Sequence, residues 1–304
     1  MEHETRIFRS AIYTQNSMSK IRKLVIPVAG LGTRLLPATK AQPKEMLPVV
    51  DKPIIQYIVE DAVRAGIQDI ILVTGKTKRA IEDHFDRDEY LEEWLFQTGK
   101  RSYQKTIKEI ATMANFIYIR QKGLYGNGTP VLNAKDIIGN EPFAVLWGDD
   151  IWHCPKKPQL QQLIEVYEKY GDPVLTLKKT DADGTKKYGI IDGVQVENGV
   201  YQIHSIEEKP GPKKAKSKIA SFGGFIFTPD IFQQLEKTSV GKNNELWLVD
   251  AVTNLGKKRP IYGKIIEGTY YDTGNKLALL KANVEFALRD PEIKNTFRSF
   301  LKKV

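Results

Sequence analysis

The chain has 304 residues, 41% hydrophobic and 27% charged, with a formal net charge of +9. That is ordinary for a globular protein with a real core, and no run approaches the roughly 20 apolar residues of a membrane span. The single cysteine, Cys154, excludes an intrachain disulfide and a cysteine-rich zinc site. Apart from the run KPGPKKAKSK at 209–218, the positive charge is dispersed. Solvated lysines and a site for a highly anionic small molecule account for it better than nucleic acid, which calls for basic arms or a basic helix with stacking aromatics.

The first twenty residues, MEHETRIFRSAIYTQNSMSK, contain no apolar segment of the secretory kind, so the default compartment is the cytoplasm. Met18 precedes the first strand-like run. Residues 1–17 read as a dispensable extension or an early start, and 1–20 are expected to be disordered. KLVIPVAG (23–30) has the β-branched run of a buried strand. Pro53 suits a helix start, apolar residues recur at helical spacing from Ile54 to Val63, and Gly66 stops the helix. DIILVTG (69–75) predicts a second strand, with helices through 79–99 and 103–112 and a third strand at 116–120. A glycine loop then leads into a helix at 130–138, and PFAVLWGDD (142–150) predicts a fourth strand ending in two aspartates.

Strands alternating with helices predict parallel βαβ units, hence a doubly wound α/β sheet of Rossmann-like kind. Beyond 150 the rhythm changes. A helix at 159–170 and the strand PVLTLKK precede short runs, YGIIDG, VQVENG and VYQIHSIEEKP, that predict antiparallel strands joined by glycine turns. ASFGGFIF predicts another strand, and PDIFQQLEK and NELWLVDAVTNLGKK predict helices. PIYGKIIEGTYYDTG predicts a final strand pair, followed by a helix at 275–289 and a short C-terminal one. The expectation is one domain over 21–304 with a mixed, mainly parallel sheet and an added antiparallel region. Its parts are a half at 21–150, a second half at 151–290 and a C-terminal helix at 291–304.

The loop AGLGTRLLPATKAQPKEMLP (29–48) fits neither common phosphate-loop pattern. Leu35 stands where the dinucleotide fingerprint needs Gly or Ala, and no G-x-x-x-x-G-K-[ST] occurs. Pro37, Pro43 and Pro48 disfavour an extended helix until about 53. What remains is an ordered loop crossing the end of the sheet. Gly30 and Gly32 free backbone N–H groups for an anion, and Arg34 and Lys44 can grip a polyphosphate from two sides. Asp149 and Asp150 stand just past a strand end, and paired acids there suit a shared hard cation such as Mg²⁺. His3, His84, His153 and His204 have no ligand-like spacing, and His153 and Cys154 read as structural. No nucleophile-elbow motif occurs.

IPVAGLGTRLLPATKAQPKEMLPVVDKPIIQYIVEDAVRAGI closely resembles the N-terminal signature of bacterial-type UTP–glucose-1-phosphate uridylyltransferases, members of the sugar-nucleotidyltransferase superfamily, and the resemblance spans about 22–290. It implies transfer of UMP from UTP to glucose 1-phosphate, with UDP-glucose and pyrophosphate as products, Mg²⁺ as cofactor, and dimers or tetramers. By the same resemblance Ala29, Gly30 and Gly32 meet the nucleotide, and Arg34 and Lys44 neutralise its phosphates. RQKGLYGNGTPVLNA (120–134) is similar to the family's second loop. There Gln121 hydrogen-bonds the uracil edge while Gly126 and Gly128 lie close to base and ribose. Asn127, Thr129 and Pro130 depart from the usual Leu, His and Ala.

Asp149 aligns with the family's magnesium ligand, with Asp150 secondary and Asp272 (in YYDTGNK) a second acid. Trp147-Gly148 stands where the family has proline. KYGIID and SIEEKP resemble the sugar-binding half: Gly189, Glu208 and Gly223 at the hexose, and Lys209 on the sugar phosphate. Glu245, Asp250 and Lys276 are lesser candidates. A relative using dTTP, CTP or ATP, or a non-catalytic nucleotide-sugar-binding homologue, stays open at this point.

Overall fold

The structure is a computed structural model that describes residues 21–241 and 244–304; the expected extension at 1–20, with His3, lies outside the described residues. The first six strands are β1 (Lys23–Val28), β2 (Pro48–Val49), β3 (Lys52–Pro53), β4 (Asp69–Thr74), β5 (Asn115–Arg120) and β6 (Phe143–Val145). They are followed by β7 (Asp150–His153), β8 (Val174–Lys179), β9 (Gly189–Glu197), β10 (Val200–Glu208), β11 (Ile219–Phe227), β12 (Ile261–Ile265) and β13 (Thr269–Asp272). The helices are α1 (Ile54–Arg64), α2 (Arg79–Phe85), α3 (Glu89–Gln97), α4 (Arg101–Thr112), α5 (Gly128–Asn133) and α6 (Lys135–Ile138). After them come α7 (Gln159–Tyr170), α8 (Asp230–Lys237), α9 (Leu248–Gly256), α10 (Lys276–Ala287) and α11 (Lys294–Leu301).

Nine strands form one sheet in the order β5-β4-β1-β6-β11-β8-β12-β10-β9. The expected parallel half is β5, β4, β1 and β6, in register from Lys23↔Asp69 and Lys23↔Phe143. The mixed half joins it where β11 runs antiparallel to both β6 and β8. β9 pairs with β10 along its length and also with β11 at Gly189 and Ile190, so these five strands curl back on themselves.

Side chains alternate across the sheet, and β1 and β4 show it. Leu24, Ile26, Ile70 and Leu72 enter one hydrophobic core, whereas Val25, Ile71 and Val73 enter the other. Helix α1 turns Ile54, Ile55, Ile58 and Val59 into the first core beside α7, and each such isoleucine contributes about 1.5–3 kcal/mol by leaving water. Helices α5, α8 and α9 cover the opposite face. Strands buried on both faces are what continuous apolar runs encode. Among the described residues no helix is long and apolar enough to cross a membrane.

Five expectations change. The strand predicted at 142–150 ends at Val145, and the chain turns before β7 begins at Asp150. YGIIDG and VQVENG are one strand, β9, because Gly193 is not a turn. Its missing side chain admits the carbonyl of Gln202 at a register slip. The helix predicted from Asn244 starts later: Leu246 pairs by its backbone with Tyr125 and Gly128, and α9 begins at Leu248. β12 and β13 do not pair with each other, since β13 pairs with β7. The helix predicted at 79–99 divides into α2 and α3, where Asp88 accepts a hydrogen bond from the N–H of Leu91 and caps the second.

Candidate active site

The carboxyl ends of the parallel strands gather the loop after β1, Gly75 after β4, Gln121 after β5 and the turn holding Asp149. This is the edge where open α/β sheets bind ligands. As the prolines predict, the loop contains only three single 3₁₀ turns, at Thr33–Leu35, Ala38–Lys40 and Lys44–Met46. Gly32 has φ 67°, a left-handed conformation glycine adopts freely, and its carbonyl accepts the Thr39 hydroxyl at 2.8 Å. A side chain at Gly30 would point at the Lys44 ammonium, 4.0 Å away.

Lys44 Nζ lies 2.5 Å from Asp149 Oδ2. Arg34 reaches across both acids, with Nη2 3.7 Å from Asp149 Oδ2 and Nη1 3.6 Å from Asp272 Oδ2. Burial alone lowers the pKa of Lys44, but Asp149 and then Glu45 outweigh it, and the ammonium is held above its ordinary value. The DTG segment is a brace: Thr273 donates to the Asp149 carbonyl through its N–H (3.1 Å) and its hydroxyl (2.6 Å). Gly274 leaves room for Asp149 Oδ2, which would stand 2.6 Å from a Cβ there.

Asp150 faces Asp272 in the β7–β13 register and is half-buried. Its Oδ1 accepts the Tyr270 hydroxyl at 2.8 Å. Burial, then repulsion by Asp149, holds its carboxyl well above the usual carboxylate range. Beside it a cavity of about 230 Å³ is lined by Gly189, Glu208 and Gly223, together with Trp147, Tyr188 and Tyr270. Lys209 does not line it: the residue has φ 50° and its ammonium sits 3.3 Å from Glu208 Oε1.

The loop after β5 is shaped by packing. Gly126 has φ 120°, and any side chain there would overlap the Leu246 backbone; a side chain at Gly128 would crowd the Leu235 and Leu246 side chains and the Leu246 carbonyl at 2.9–3.1 Å. Asn127 Oδ1 accepts the N–H of Leu248 and so braces the start of α9. Gly126→Ala is expected to cost on the order of 1–3 kcal/mol of stability, read by urea denaturation, because a non-glycine residue would be strained there. Gln121 continues the sheet ladder by donating its N–H to Thr74 and leaves its side chain half-buried. Asp250 and Lys276 are exposed, and Glu245 bridges to Tyr125 through its backbone.

Sequence reasoning missed the Tyr270–Asp150 bond, because nothing local shows which strand β13 joins. It also missed the buried pair of Glu45 and Lys78, 2.9 Å apart, directly behind Lys44. An acid beside Lys44 was visible, but its partner lies on another loop. Cys154 is buried and unpaired, and burial pushes its thiol up to about 12.

A glycine loop with two cations, converging on two acids at the carboxyl edge of a mixed sheet, defines a nucleotidyltransferase type of site. The nucleotidyl transferase family profile matches residues 23–288. A UTP–glucose-1-phosphate uridylyltransferase of Staphylococcus epidermidis is 46% identical over 94% of this chain and 99% of its own length. One from Bacillus subtilis is 47% identical over 94% and 96%. Among solved structures, a UDP-glucose pyrophosphorylase complexed with UDP-glucose is similar at TM-score 0.81 and 39% identity, covering 89% of this chain and all 100% of that one. A UTP-bound enzyme from Acinetobacter baumannii is similar at TM-score 0.88 and 35% identity, covering 93% and 99%. The chain belongs to the nucleotidyl transferase family and, within it, to the UTP–glucose-1-phosphate uridylyltransferases.

Proposed function

We propose that the chain transfers UMP from UTP to α-D-glucose 1-phosphate, giving UDP-glucose and pyrophosphate. The observation that carries this reading is the convergence of Lys44 and Arg34 on Asp149 and Asp272 beside the cavity of Gly189, Glu208 and Gly223. A sugar-phosphate oxygen is already anionic at neutral pH, so no general base is needed. It attacks the α-phosphorus of UTP, the bond from that phosphorus to the bridging oxygen breaks, and the electron pair leaves with pyrophosphate. Such chemistry is achieved by positioning and electrostatics.

Backbone N–H groups at Ala29, Gly30 and Gly32 meet the triphosphate, Arg34 and Lys44 neutralise it, and Gln121, Gly126 and Gly128 form the nucleotide side. Glu208 accepts hydrogen bonds from hexose hydroxyls, with Gly189 and Gly223 supplying close backbone. Lys209, free to leave its exposed and weak pair with Glu208, steers the sugar phosphate. Asp149 and Asp272 suit a magnesium ion, because both carboxylates already share one positive group, Arg34, and carboxylate oxygen is the donor Mg²⁺ selects. When bound, Mg²⁺ supplies neutralisation of phosphate charge. The proposal also includes the division into a nucleotide half at 21–150, a sugar half at 151–290 and a C-terminal helix at 291–304. An assembly of two or four copies and a cytoplasmic location complete it.

The test is pyrophosphate release with each of four nucleoside triphosphates, with and without Mg²⁺ and glucose 1-phosphate. Release is expected only with UTP, Mg²⁺ and the sugar phosphate together; activity confined to dTTP, or none, would defeat the reading. A side chain at Gly223 would overlap Trp147 and stand 2.5 Å from Asp150 Oδ2. Gly223→Ala is therefore expected to raise KM for glucose 1-phosphate by about tenfold or more while KM for UTP changes little. Equal rises in both would remove Gly223 from the sugar side.

A further inference from the structure

Between the loop after β1 and the connection from β4 to α2 lies a cleft of about 340 Å³. Leu31, Thr39 and Lys40 line one wall, and Lys76, Lys78 and Arg79 the other. Arg34, Lys44, Gly30 and Gly32 do not line it, and no aspartate or glutamate among the described residues does. Lys78 is buried and neutralised by Glu45. Arg79 meets Asp83 only across an exposed contact of 3.5 Å, which does little to cancel its charge. Lys40 and Lys76 have no carboxylate partner among the described residues. Three weakly compensated cations thus surround one concavity, whose walls focus their field on whatever anion enters.

We propose that this cleft is a second oligophosphate site, separate from the one at Asp149, and that it takes a diphosphate-class anion. Lys40 stands on one wall and Lys76 and Arg79 on the other, so an anion with two linked phosphates bridges them. No aromatic side chain lines the cleft to stack a base, which favours inorganic oligophosphate over a nucleotide. Occupancy bears on the catalytic loop through two bonds already present: Thr39 donates to Gly32, and Lys78 holds Glu45, the neighbour of Lys44. Pyrophosphate released by the transfer reaction therefore acts back on the loop that bound it. This last consequence rests on the proposed function; the binding itself does not.

The test titrates the full chain calorimetrically with inorganic pyrophosphate at low salt, in EDTA. Lys44→Ala weakens the catalytic site and leaves the cleft intact, so this variant is expected still to bind pyrophosphate. Adding Lys40→Gln and Lys76→Gln, both at exposed positions, is expected to weaken that remaining binding by about tenfold or more. In turnover assays Lys40→Gln/Lys76→Gln alone keeps the rate measured without added pyrophosphate. It loses the part of pyrophosphate inhibition that excess UTP does not relieve. Loss of all binding in Lys44→Ala, or unchanged binding in the triple variant, overturns the proposal. A native chain that binds pyrophosphate in this cleft but transfers no UMP defeats the functional reading and supports this one.

Discussion

Lys44→Ala is expected to lower UMP transfer at saturating substrates on the order of a hundred- to a thousandfold, the usual cost of removing one preorganised charge from a phosphoryl-type transition state. Lys44 is the better placed of the two loop cations. Its ammonium is mostly buried and touches Asp149 at 2.5 Å, whereas Arg34 is largely exposed and stays 3.6–3.7 Å from both acids. In a partly dry site its charge is weakly screened, and Asp149 and Glu45 keep it protonated. Arginine at 44 is not a rescue, because a planar fork cannot fill the place of a compact ammonium above Gly30. Steady-state rates, taken after circular dichroism shows native folding, read the effect. Near-native turnover would remove Lys44 from the proposed machinery.

Lys78→Ala is expected to destabilise the fold by about 3–5 kcal/mol at neutral pH, since it strands one member of a buried ion pair. Glu45 is almost wholly buried, and its Oε1 has no hydrogen-bond partner even with Lys78 present. Burial raises the pKa of Glu45, Lys78 and then Lys44 pull it back, and it remains above the ordinary value. Without Lys78 the ionised form costs more. A raised carboxyl pKa places the loss at high pH: the cost is absent below the unfolded value of about 4.3 and grows as pH rises through the folded value. Urea unfolding across that range is therefore expected to show the defect at neutral pH and its relief in acid. A defect independent of pH would mean lost packing rather than a stranded charge.

How much of this was legible in the sequence depended on whether the signal was local. β1, β4, α1 and α7 were readable because an apolar run or a helical stripe ends at a glycine or proline within the same segment. The loop prolines forecast the absence of a long helix, and Arg34, Lys44, Asp149 and Asp272 do come together. Partners set by pairing across the chain were not readable. β13 is only four residues, Thr-Tyr-Tyr-Asp, a run that fits many neighbours, and only the fold assigns it to β7. Gly193 looks like a turn residue, yet it serves a bulge whose need arises on β10. Lys209 was expected at the sugar phosphate by resemblance, and a left-handed backbone carries it to the rim beside Glu208. Gly126 and Gly128 were expected beside a ligand; the structure adds a packing reason, the Leu246 backbone, that no nearby residue announces.

The curl that brings β9 against β11 has a consequence for how substrates are received. Gly189, a cavity residue, is hydrogen-bonded into strands on both sides, paired with Glu208 and with Ser221. A backbone clamped in this way cannot swing aside to admit a sugar phosphate or reshape itself around a different one. If this cavity takes the hexose as proposed, it does so as a mould, and discrimination among hexoses falls to fixed shape and to Glu208. The span opposite is held by side chains rather than by a ladder, Lys44 to Asp149 and Glu45 to Lys78.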